Sequence, residues 1–206
     1  MANNLDVQII LDRSGSMANA WDDTLGGLNE YVKQLASDNA VEAKISLLAF
    51  DTKGIDKIRN MASANSFEAV TDKEVFPRGR TPLFDAVGEG INDMRTRLPD
   101  RRKALVVITD GYENSSCEHT QASVKAMIEK ARQDNWLITY LGADHDAWGQ
   151  AEGLGFAASY VGQYDKRSTR AAFQAAADNT ACFFEMINPP SEFFTDEQRH
   201  RMRKRK

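Results

Sequence analysis

Short apolar runs alternate with longer segments of helical periodicity along almost the whole chain, and this alternation limits the possible folds more than any other feature. Residues 5–11 are rich in apolar and β-branched side chains, as in a central strand that is buried on both faces. The next segment spaces its apolar residues by 4, 3, 4 and 3 positions, from Trp21 to Leu35, which is the core stripe of an amphipathic helix. Repetition of these two patterns predicts an α/β fold with a doubly wound, mostly parallel central sheet and helices on both faces.

The remaining elements follow the same patterns. One antiparallel edge strand is expected at residues 55–60, because the turn at 51–54 returns the chain beside the preceding strand. Residues 61–80 lack a sustained period and are interpreted as mostly loop. Thr81 and Pro82 open a helix, with Thr81 as its cap and Pro82 at its first position. The apolar stripe of this helix runs from Leu83 to Leu98. Further strands are predicted at residues 45–50, 104–109, 137–141 and 156–161, and further helices at 121–133, 144–152 and 169–187.

The length of 206 residues suits one domain, which we expect to cover residues 1–187. Residues 188–206 are predicted to be a basic tail that begins with Asn-Pro-Pro; residues 199–206 alone hold six of the 26 Lys and Arg and none of the 30 Asp and Glu. Thr195-Asp196-Glu197-Gln198 has the form of a capping box, but no apolar run follows it, so we expect a frayed or disordered tail that the fold does not need. The alternative is that Phe193 and Phe194 dock on the domain. Solubilisation or partner docking is its favoured role, and nucleic-acid contact is the less favoured alternative, because no aromatic residues are interleaved with the charges.

Hydropathy and cysteine usage indicate the compartment. No stretch approaches 18 consecutive apolar residues, and the first residues lack the basic and apolar regions of a secretory signal. Cys117 and Cys182 are too few for a disulfide framework, so we expect small buried thiols in a reducing compartment. These features predict a cytoplasmic protein without a membrane span.

Carboxylates and hydroxyls follow the predicted strands at one edge of the sheet. Asp12, Ser14 and Ser16 come directly after the first strand, Thr81 opens a helix, and Asp110 follows a later strand. In an open α/β sheet these two strands can be neighbours, and ligands bind beyond the carboxyl ends of the strands. Oxygen donors without Cys or His suit Mg²⁺ or Mn²⁺ better than Zn²⁺. The pattern therefore predicts a divalent metal site, although Ser and Asp before a helix are also common N-caps.

The order of these stretches resembles the metal-ion-dependent adhesion site of the von Willebrand factor A domain family, in a bacterial or phage-type single-domain member with a Rossmann-like fold. The resemblance covers about residues 4–187 and rests on Asp12-Arg13-Ser14-Gly15-Ser16, Thr81 and Thr109-Asp110-Gly111. It implies an Mg²⁺ or Mn²⁺ held directly by Ser14 and Ser16, with Asp12, Thr81 and Asp110 binding directly or through water. It also implies an open position that an Asp or Glu carboxylate of a protein partner fills, so the function expected is metal-dependent protein binding.

Two other functions are weighed against this binding module. A Mg²⁺-dependent phosphohydrolase of the haloacid-dehalogenase kind needs a second carboxylate two residues after the first, where this chain has Ser14. No pair of nucleophile and base is visible, so we do not expect an enzyme. The other alternative is an adaptor for an ATPase, which would be a separate chain because no G-x-x-x-x-G-K-[ST] motif is present.

Two further groups are less specific. Asp144-His145-Asp146 could be a second metal site or an acid/base site, but a helix start with favourable acidic residues is the preferred interpretation. Arg78 and Arg80 either line the metal face, where they would attract an anionic partner, or are ordinary solvated loop residues.

Overall fold

The structure is a computed structural model that describes residues 3–37, 41–97, 100–143, 147–185 and 190–203. Its strands are β1 (Asn3–Asp12), β2 (Val41–Asp51), β3 (Gly54–Ser63), β4 (Arg102–Thr109), β5 (Leu137–Ala143) and β6 (Val161–Tyr164). Its helices are α1 (Trp21–Ser37), α2 (Leu83–Arg95), α3 (Gln121–Gln133), α4 (Ala147–Gly153), α5 (Thr169–Glu185) and α6 (Asp196–Arg203). In this part of the chain no helix is long and apolar enough to cross a membrane.

The strands form one sheet in the order β3-β2-β1-β4-β5-β6. β1 runs parallel to both β2 and β4, and the parallel pairing continues through β5 to β6. β3 is antiparallel to β2 and forms one edge of the sheet. This arrangement confirms the predicted doubly wound, mostly parallel sheet with one antiparallel edge strand. Because Leu11 pairs with Ile108, β1 and β4 end side by side, and the residues that follow them meet at one edge.

A hydrophobic cluster fills each face of the sheet. On one face the stripe of α1 packs with α5 against β1, and on the other face α2 and α3 cover β1 and β4. α1 and α5 pack closely at Gly27, where an added Cβ would lie 2.5 Å from the ring of Phe173. Burial from both sides explains why β1 and β4 are almost continuously apolar.

Two predicted element starts are wrong. α2 begins at Leu83 with Pro82 at its N-cap, and Thr81 does not cap it; the N–H groups of Phe84 and Asp85 donate instead to Glu113 Oε2 and Ser116 Oγ of another loop. β6 begins at Val161, where the predicted strand ended. Phe156 lies before this strand, buried in a loop, and its ring packs edge-on against Tyr140 at 5.2 Å between centroids. Phe156 is therefore apolar because it packs in the core from a loop, and not because it belongs to a strand.

The prediction of a frayed tail is wrong for residues 190–203. Phe193, Phe194 and Met202 are at most 3% exposed and belong to the cluster that contains α1 and α5. α6 starts with a reciprocal capping box, because Gln198 N–H donates to Thr195 Oγ1 at 3.2 Å and Gln198 Oε1 accepts from Thr195 N–H at 3.0 Å. Three well-placed apolar side chains thus dock a segment that is otherwise strongly polar.

The cysteine prediction is half right. Cys117 and Cys182 are free thiols, in agreement with the absence of a disulfide framework, but both are exposed, so the expected burial is wrong. Cys117 lies in the loop between β4 and α3, where its backbone N–H donates to Asp85. Backbone bonding, and not the apolar character of the thiol, therefore fixes its position.

Candidate metal centre

Asp12 ends β1 with its carboxylate fully buried. Its Oδ1 accepts a hydrogen bond from the backbone N–H of Ser14 at 2.7 Å, and its Oδ2 accepts one from Thr109 Oγ1 at 2.6 Å. The first bond folds the loop back over the strand end, and the second ties the carboxylate to the neighbouring strand β4. Both oxygens of Asp12 are therefore held in fixed directions by the local backbone and the sheet.

The two serines link Asp12 to the end of β4. Ser14 Oγ and Ser16 Oγ are 3.0 Å apart, and Ser16 Oγ donates to Asp110 Oδ1 at 2.5 Å. Ser14 and Asp110 are 2% and 4% exposed. The structure thus brings one hydroxyl pair between two carboxylates that are 98 positions apart in sequence.

The position of Gly111 shows that the oxygens converge. A Cβ added there would lie 3.0 Å from Thr81 Oγ1, 3.4 Å from Ser16 Oγ and 3.6 Å from Asp12 Oδ2. These three oxygens come from two separate segments, the loop at the end of β1 and the residue before Pro82, and face one small volume beside a third segment, the end of β4. Together with Ser14 and Asp110, all the residues expected to hold the metal lie around this volume. A donor set of hydroxyls and carboxylates fits a hard divalent cation.

A second loop braces the first. The backbone N–H of Gly15 donates to the carbonyl of Gly79 at 3.1 Å, and the N–H of Arg78 donates to the carbonyl of Arg13 at 2.7 Å. Gly79 has φ of +71°, and an added Cβ would lie 2.5 Å from Thr52 Oγ1. Only glycine fits that backbone and that space, so this position fixes how closely the two loops approach.

A buried ion pair anchors both loops to the end of β2. Asp51, which is 1% exposed, accepts from Arg13 Nε at 2.7 Å and from Arg78 Nε at 2.6 Å. Burial opposes the charge of Asp51, but the hydrogen bonds from Arg78 and the Lys53 N–H and the two guanidinium charges outweigh it and hold its pKa below the ordinary value. Arg78 is therefore committed to this pair, whereas Arg80 is exposed.

The loop after β4 positions Thr81. The N–H of Thr81 donates to Asn114 Oδ1 at 2.9 Å, and the N–H of Asn114 donates to the carbonyl of Thr81 at 3.1 Å. The Asp85 carboxylate accepts from three successive N–H groups of the same loop, the last of them that of His119 at 2.7 Å. Sequence reasoning treated Thr81 as a helix cap and missed this reciprocal pair with Asn114.

The centre concentrates negative charge away from water. Burial raises the pKa of Asp12 to about 6; the hydrogen bonds from Thr109 and Ser14 lower it, and the neighbouring charge of Asp110 raises it. Two carboxylates that are less than 5% exposed and close to each other are costly to ionise without a cation. The electrostatics therefore favour a positive charge at this edge.

Lys166 supplies one such charge and was missed by the sequence reasoning. Its Nζ donates to Asp110 Oδ2 at 2.7 Å, from the 3-10 turn Lys166–Ser168 that follows β6. The predicted strand ended at residue 161, and the true end of β6 at Tyr164 is what brings Lys166 to the edge that holds the other residues. Had the end of β6 been predicted correctly, Lys166 would have been placed at the same edge of the sheet as the proposed metal ligands.

Other metal arrangements are not seen among the described residues, where no group of three or more His, Cys, Asp or Glu could hold an ion. The candidate second site at Asp144-His145-Asp146 lies outside the described residues.

Comparison with known proteins gives one family match. A family model described as the von Willebrand factor type A domain matches residues 6–182. The search of curated proteins found no match.

Solved structures share the fold at low sequence identity. The vWF domain of the type V pili tip protein Mfa5 from Porphyromonas gingivalis is 12% identical, with a TM-score of 0.72 over 90% of this chain and 98% of that chain. Manganese-loaded TRAP protein from Plasmodium vivax is 15% identical, with a TM-score of 0.57 over 82% and 72%. Proximal thread matrix protein 1 from the mussel byssus, with a zinc-occupied MIDAS motif, is 14% identical, with a TM-score of 0.62 over 87% of this chain and 48% of that chain. These likenesses support the fold.

Proposed function

Because the chain belongs to the von Willebrand factor type A domain family, we propose that it is a metal-dependent protein-binding module with an intact metal-ion-dependent adhesion site. The proposed metal ligands are Asp12, Ser14, Ser16, Thr81 and Asp110. The observation that carries the proposal is the convergence of Asp12, Ser16 and Thr81 oxygens on the small volume beside Gly111, with Ser16 also bonded to Asp110. The bacterial or phage-type origin stays a prediction from the sequence.

The proposed cation is Mg²⁺, with Mn²⁺ as the close alternative. Hydroxyl and carboxylate oxygens without Cys or His favour these ions over Zn²⁺. The manganese-loaded TRAP protein supports a divalent ion in this kind of domain. The zinc-occupied motif of the mussel protein makes Zn²⁺ the ion against which the preference must be tested.

The chain's own residues leave the cation short of negative charge. Ser14 and Ser16 would hold it through neutral hydroxyl oxygens, and Thr81 adds a third. Asp12 already accepts two hydrogen bonds, and Asp110 accepts bonds from Ser16 and Lys166, so part of each carboxylate charge is engaged. A bound dication would supply a Lewis-acidic position for an anionic ligand. The Asp or Glu carboxylate of a partner protein is the proposed ligand.

Two exposed aromatic side chains support a protein partner. Phe76 is 50% exposed and precedes the loop that pairs with Arg13, and Tyr112 is 53% exposed and follows Gly111 directly. Both are on segments that build the candidate centre. Large aromatic side chains are enriched where protein interfaces form, so they extend the proposed binding surface beyond the metal.

We propose binding without catalysis. The position where a phosphohydrolase of the haloacid-dehalogenase kind needs its second carboxylate holds Ser14, whose hydroxyl is bonded within the cluster. Hydrolysis of a generic aryl phosphate that depends on Asp12 would overturn this view. An adaptor role beside a separate ATPase remains the second candidate for the kind of partner.

A cytoplasmic location is proposed on the cysteines alone. Cys117 and Cys182 are free and exposed, which suits a reducing compartment. Labelling of both thiols in intact cells by a membrane-impermeant reagent would contradict it.

Calorimetric titration tests the metal site. Metal-stripped protein is titrated with Mg²⁺, Mn²⁺ and Zn²⁺, as wild type, Ser14→Ala and Thr81→Ala. We expect roughly tenfold or greater loss of Mg²⁺ affinity in both variants, because each removes an oxygen ligand. Ser191→Ala, at an exposed serine far along the chain, is the matched control. Equal metal affinity in all four proteins would show that the ion binds elsewhere.

Affinity capture tests the partner. Wild-type protein and Thr81→Ala are used as bait with Mg²⁺ and with excess chelator. Partner binding should require both the metal and Thr81. Thr81→Ala should not change the unfolding temperature through a lost helix cap, because that side chain makes no cap in the structure. Capture that is indifferent to the chelator would refute a metal bridge.

A further inference from the structure

Lys166 places a positive charge inside the candidate metal centre. Its Nζ donates to Asp110 Oδ2, whereas Oδ1 of the same carboxylate faces Ser16. The side chains of Asp110 and Lys166 are 1% and 24% exposed. Water therefore screens this pair poorly, and its charges act on the centre at a lower effective dielectric constant than surface charges do.

The backbone around Lys166 is anchored on three sides. Asp165 Oδ1 accepts from the N–H of Arg167 at 2.8 Å, and Thr169 Oγ1 donates to the carbonyl of Lys166 at 2.6 Å. The N–H of Asp165 donates to the carbonyl of Met202 in α6 at 3.0 Å. The turn is thus built into the fold, and its lysine is directed to Asp110 by several independent bonds.

We propose that Lys166 competes with the divalent cation for the charge of Asp110 and thereby lowers the metal affinity of the site. Two carboxylates and one ammonium leave the centre with a single net negative charge. A dication bound there gives a net positive charge, whereas the same ion beside two carboxylates alone would be neutralised. Lys166 thus lowers the affinity of the site for the metal and increases the attraction of the metal-loaded site to an anionic partner. This inference rests on the metal site proposed above.

The rival explanation is structural. In that case Lys166 only neutralises a buried carboxylate and supports the start of α5, and it has no bearing on the metal. The two explanations predict different changes in metal affinity when the charge of Lys166 is removed. Loss of the lysine charge strengthens metal binding if Lys166 competes, and weakens it or leaves it unchanged if Lys166 only supports the fold.

Titration of the metal-stripped full chain with MnCl₂ separates the two. The variants are Lys166→Met, which removes the charge, Lys166→Gln, which keeps a hydrogen-bond donor without the charge, and Lys166→Arg, which keeps the charge. We expect Mn²⁺ to bind roughly tenfold more tightly to the Met and Gln variants, and with wild-type affinity to the Arg variant. Arg167→Met removes a charge from the exposed side of the same turn and should leave the affinity unchanged.

Thermal unfolding gives a second measurement. In chelator, Lys166→Met should unfold at a lower temperature than wild type, because buried Asp110 loses its partner charge. Saturating Mn²⁺ should raise its unfolding temperature by more than that of wild type. If Lys166→Met does not fold, Lys166→Gln carries the same comparison.

Failure of the inference and failure of the metal site give different results. Wild-type Mn²⁺ binding with equal or weaker binding by both neutral variants overturns the role of Lys166 and leaves the site intact. Absence of Mn²⁺ binding in wild type and in every variant overturns the site and the inference with it. Binding by the neutral variants alone supports both.

Discussion

At the scale of single residues, we expect the missing side chain of Gly111 to decide whether the proposed centre can accept a cation. Its missing side chain leaves room between Thr81, Ser16 and Asp12, whose oxygens an added Cβ would meet at 3.0–3.6 Å. We expect Gly111→Ala to weaken Mg²⁺ binding by about tenfold or more while the protein still folds. Titration and the unfolding temperature measure the two effects.

Gly26 offers the matched control for this substitution. It lies in α1, and an added Cβ would meet nothing within 4 Å. Gly26→Ala should keep the metal affinity and raise the free energy of unfolding by up to about 1 kcal/mol, because alanine is the better helix former. Equal metal affinity in both alanine variants would mean that the volume beside Gly111 is not the binding position.

The charge of Asp51 holds Arg13 and Arg78, and with them the two loops, at the end of β2. Asp51→Asn leaves two guanidinium groups without their buried carboxylate and should cost about 3 kcal/mol of unfolding free energy. Asp56→Asn is the control, since Asp56 also contacts Arg13 but its side chain is 55% exposed. Denaturant unfolding at neutral pH measures both variants. A loss no larger for Asp51→Asn than for Asp56→Asn would contradict the anchoring role.

The contribution of Asp51 should also depend on pH. Because the folded state lowers the pKa of Asp51, the unfolded state binds more protons between the folded pKa and the ordinary value near 4. Stability therefore rises with pH across that window, and the contribution is complete above it. The gap in unfolding free energy between wild type and Asp51→Asn should be constant from neutral pH to about pH 5 and narrow below pH 4. If the gap in unfolding free energy widens on acidification, the pKa of Asp51 is not lowered by folding.

At the scale of elements, α6 belongs to the folded core and not to a dispensable tail. Removal of residues 191–206 exposes the surface that Phe193, Phe194 and Met202 cover. Phe194→Ala alone should cost about 3 kcal/mol or more, as for other large-to-small substitutions of buried aromatics. Arg201→Ala, with a side chain 66% exposed, should cost little. Denaturant unfolding of these three proteins is the test, and a stable truncated chain would restore the earlier expectation.

The same elements show how far the sequence could be interpreted. The stripe from Trp21 to Leu35 is strongly periodic, and the run in β4 is continuously apolar. Burial in the core requires each of these patterns, so both elements could be predicted from the sequence. Phe156 and Phe194 are single aromatics in polar surroundings, and only the tertiary contacts reveal what they bury. Local pattern therefore finds elements that form whole faces of the core and misses those held by one or two side chains.

The candidate site divides in a similar way. Asp12 and Asp110 stand at the ends of confident strands, so parallel topology was enough to bring them together. Thr81 was interpreted as a helix cap, whereas the structure pairs its backbone with Asn114 of another loop. Lys166 was missed because the end of β6 was misplaced by a few residues. Positions set by strand register can be predicted, whereas positions set by loop-to-loop hydrogen bonds need the structure.

At the scale of the whole molecule, metal binding should stabilise the fold. The proposed ligands lie at and after the end of β1, before α2 and after β4, so an ion bound there would link segments that separate on unfolding. At about one hundred times the dissociation constant, the gain is about 2.7 kcal/mol, or roughly 5–10 °C for a chain of this size. Scanning calorimetry with Mg²⁺ and with chelator measures it, and Ser14→Ala should lose the gain while Ser191→Ala keeps it. Identical unfolding curves with and without Mg²⁺ would count against the site.

The position of Lys166 late in the sequence also determines when it is synthesised relative to the proposed metal ligands. Ribosomes synthesise the chain from its amino terminus, so Asp12, Thr81 and Asp110 all emerge before β6 and the lysine that follows it. The nascent chain therefore contains every proposed oxygen ligand for the cation more than fifty residues before it contains the ammonium that bonds to Asp110 in the finished protein.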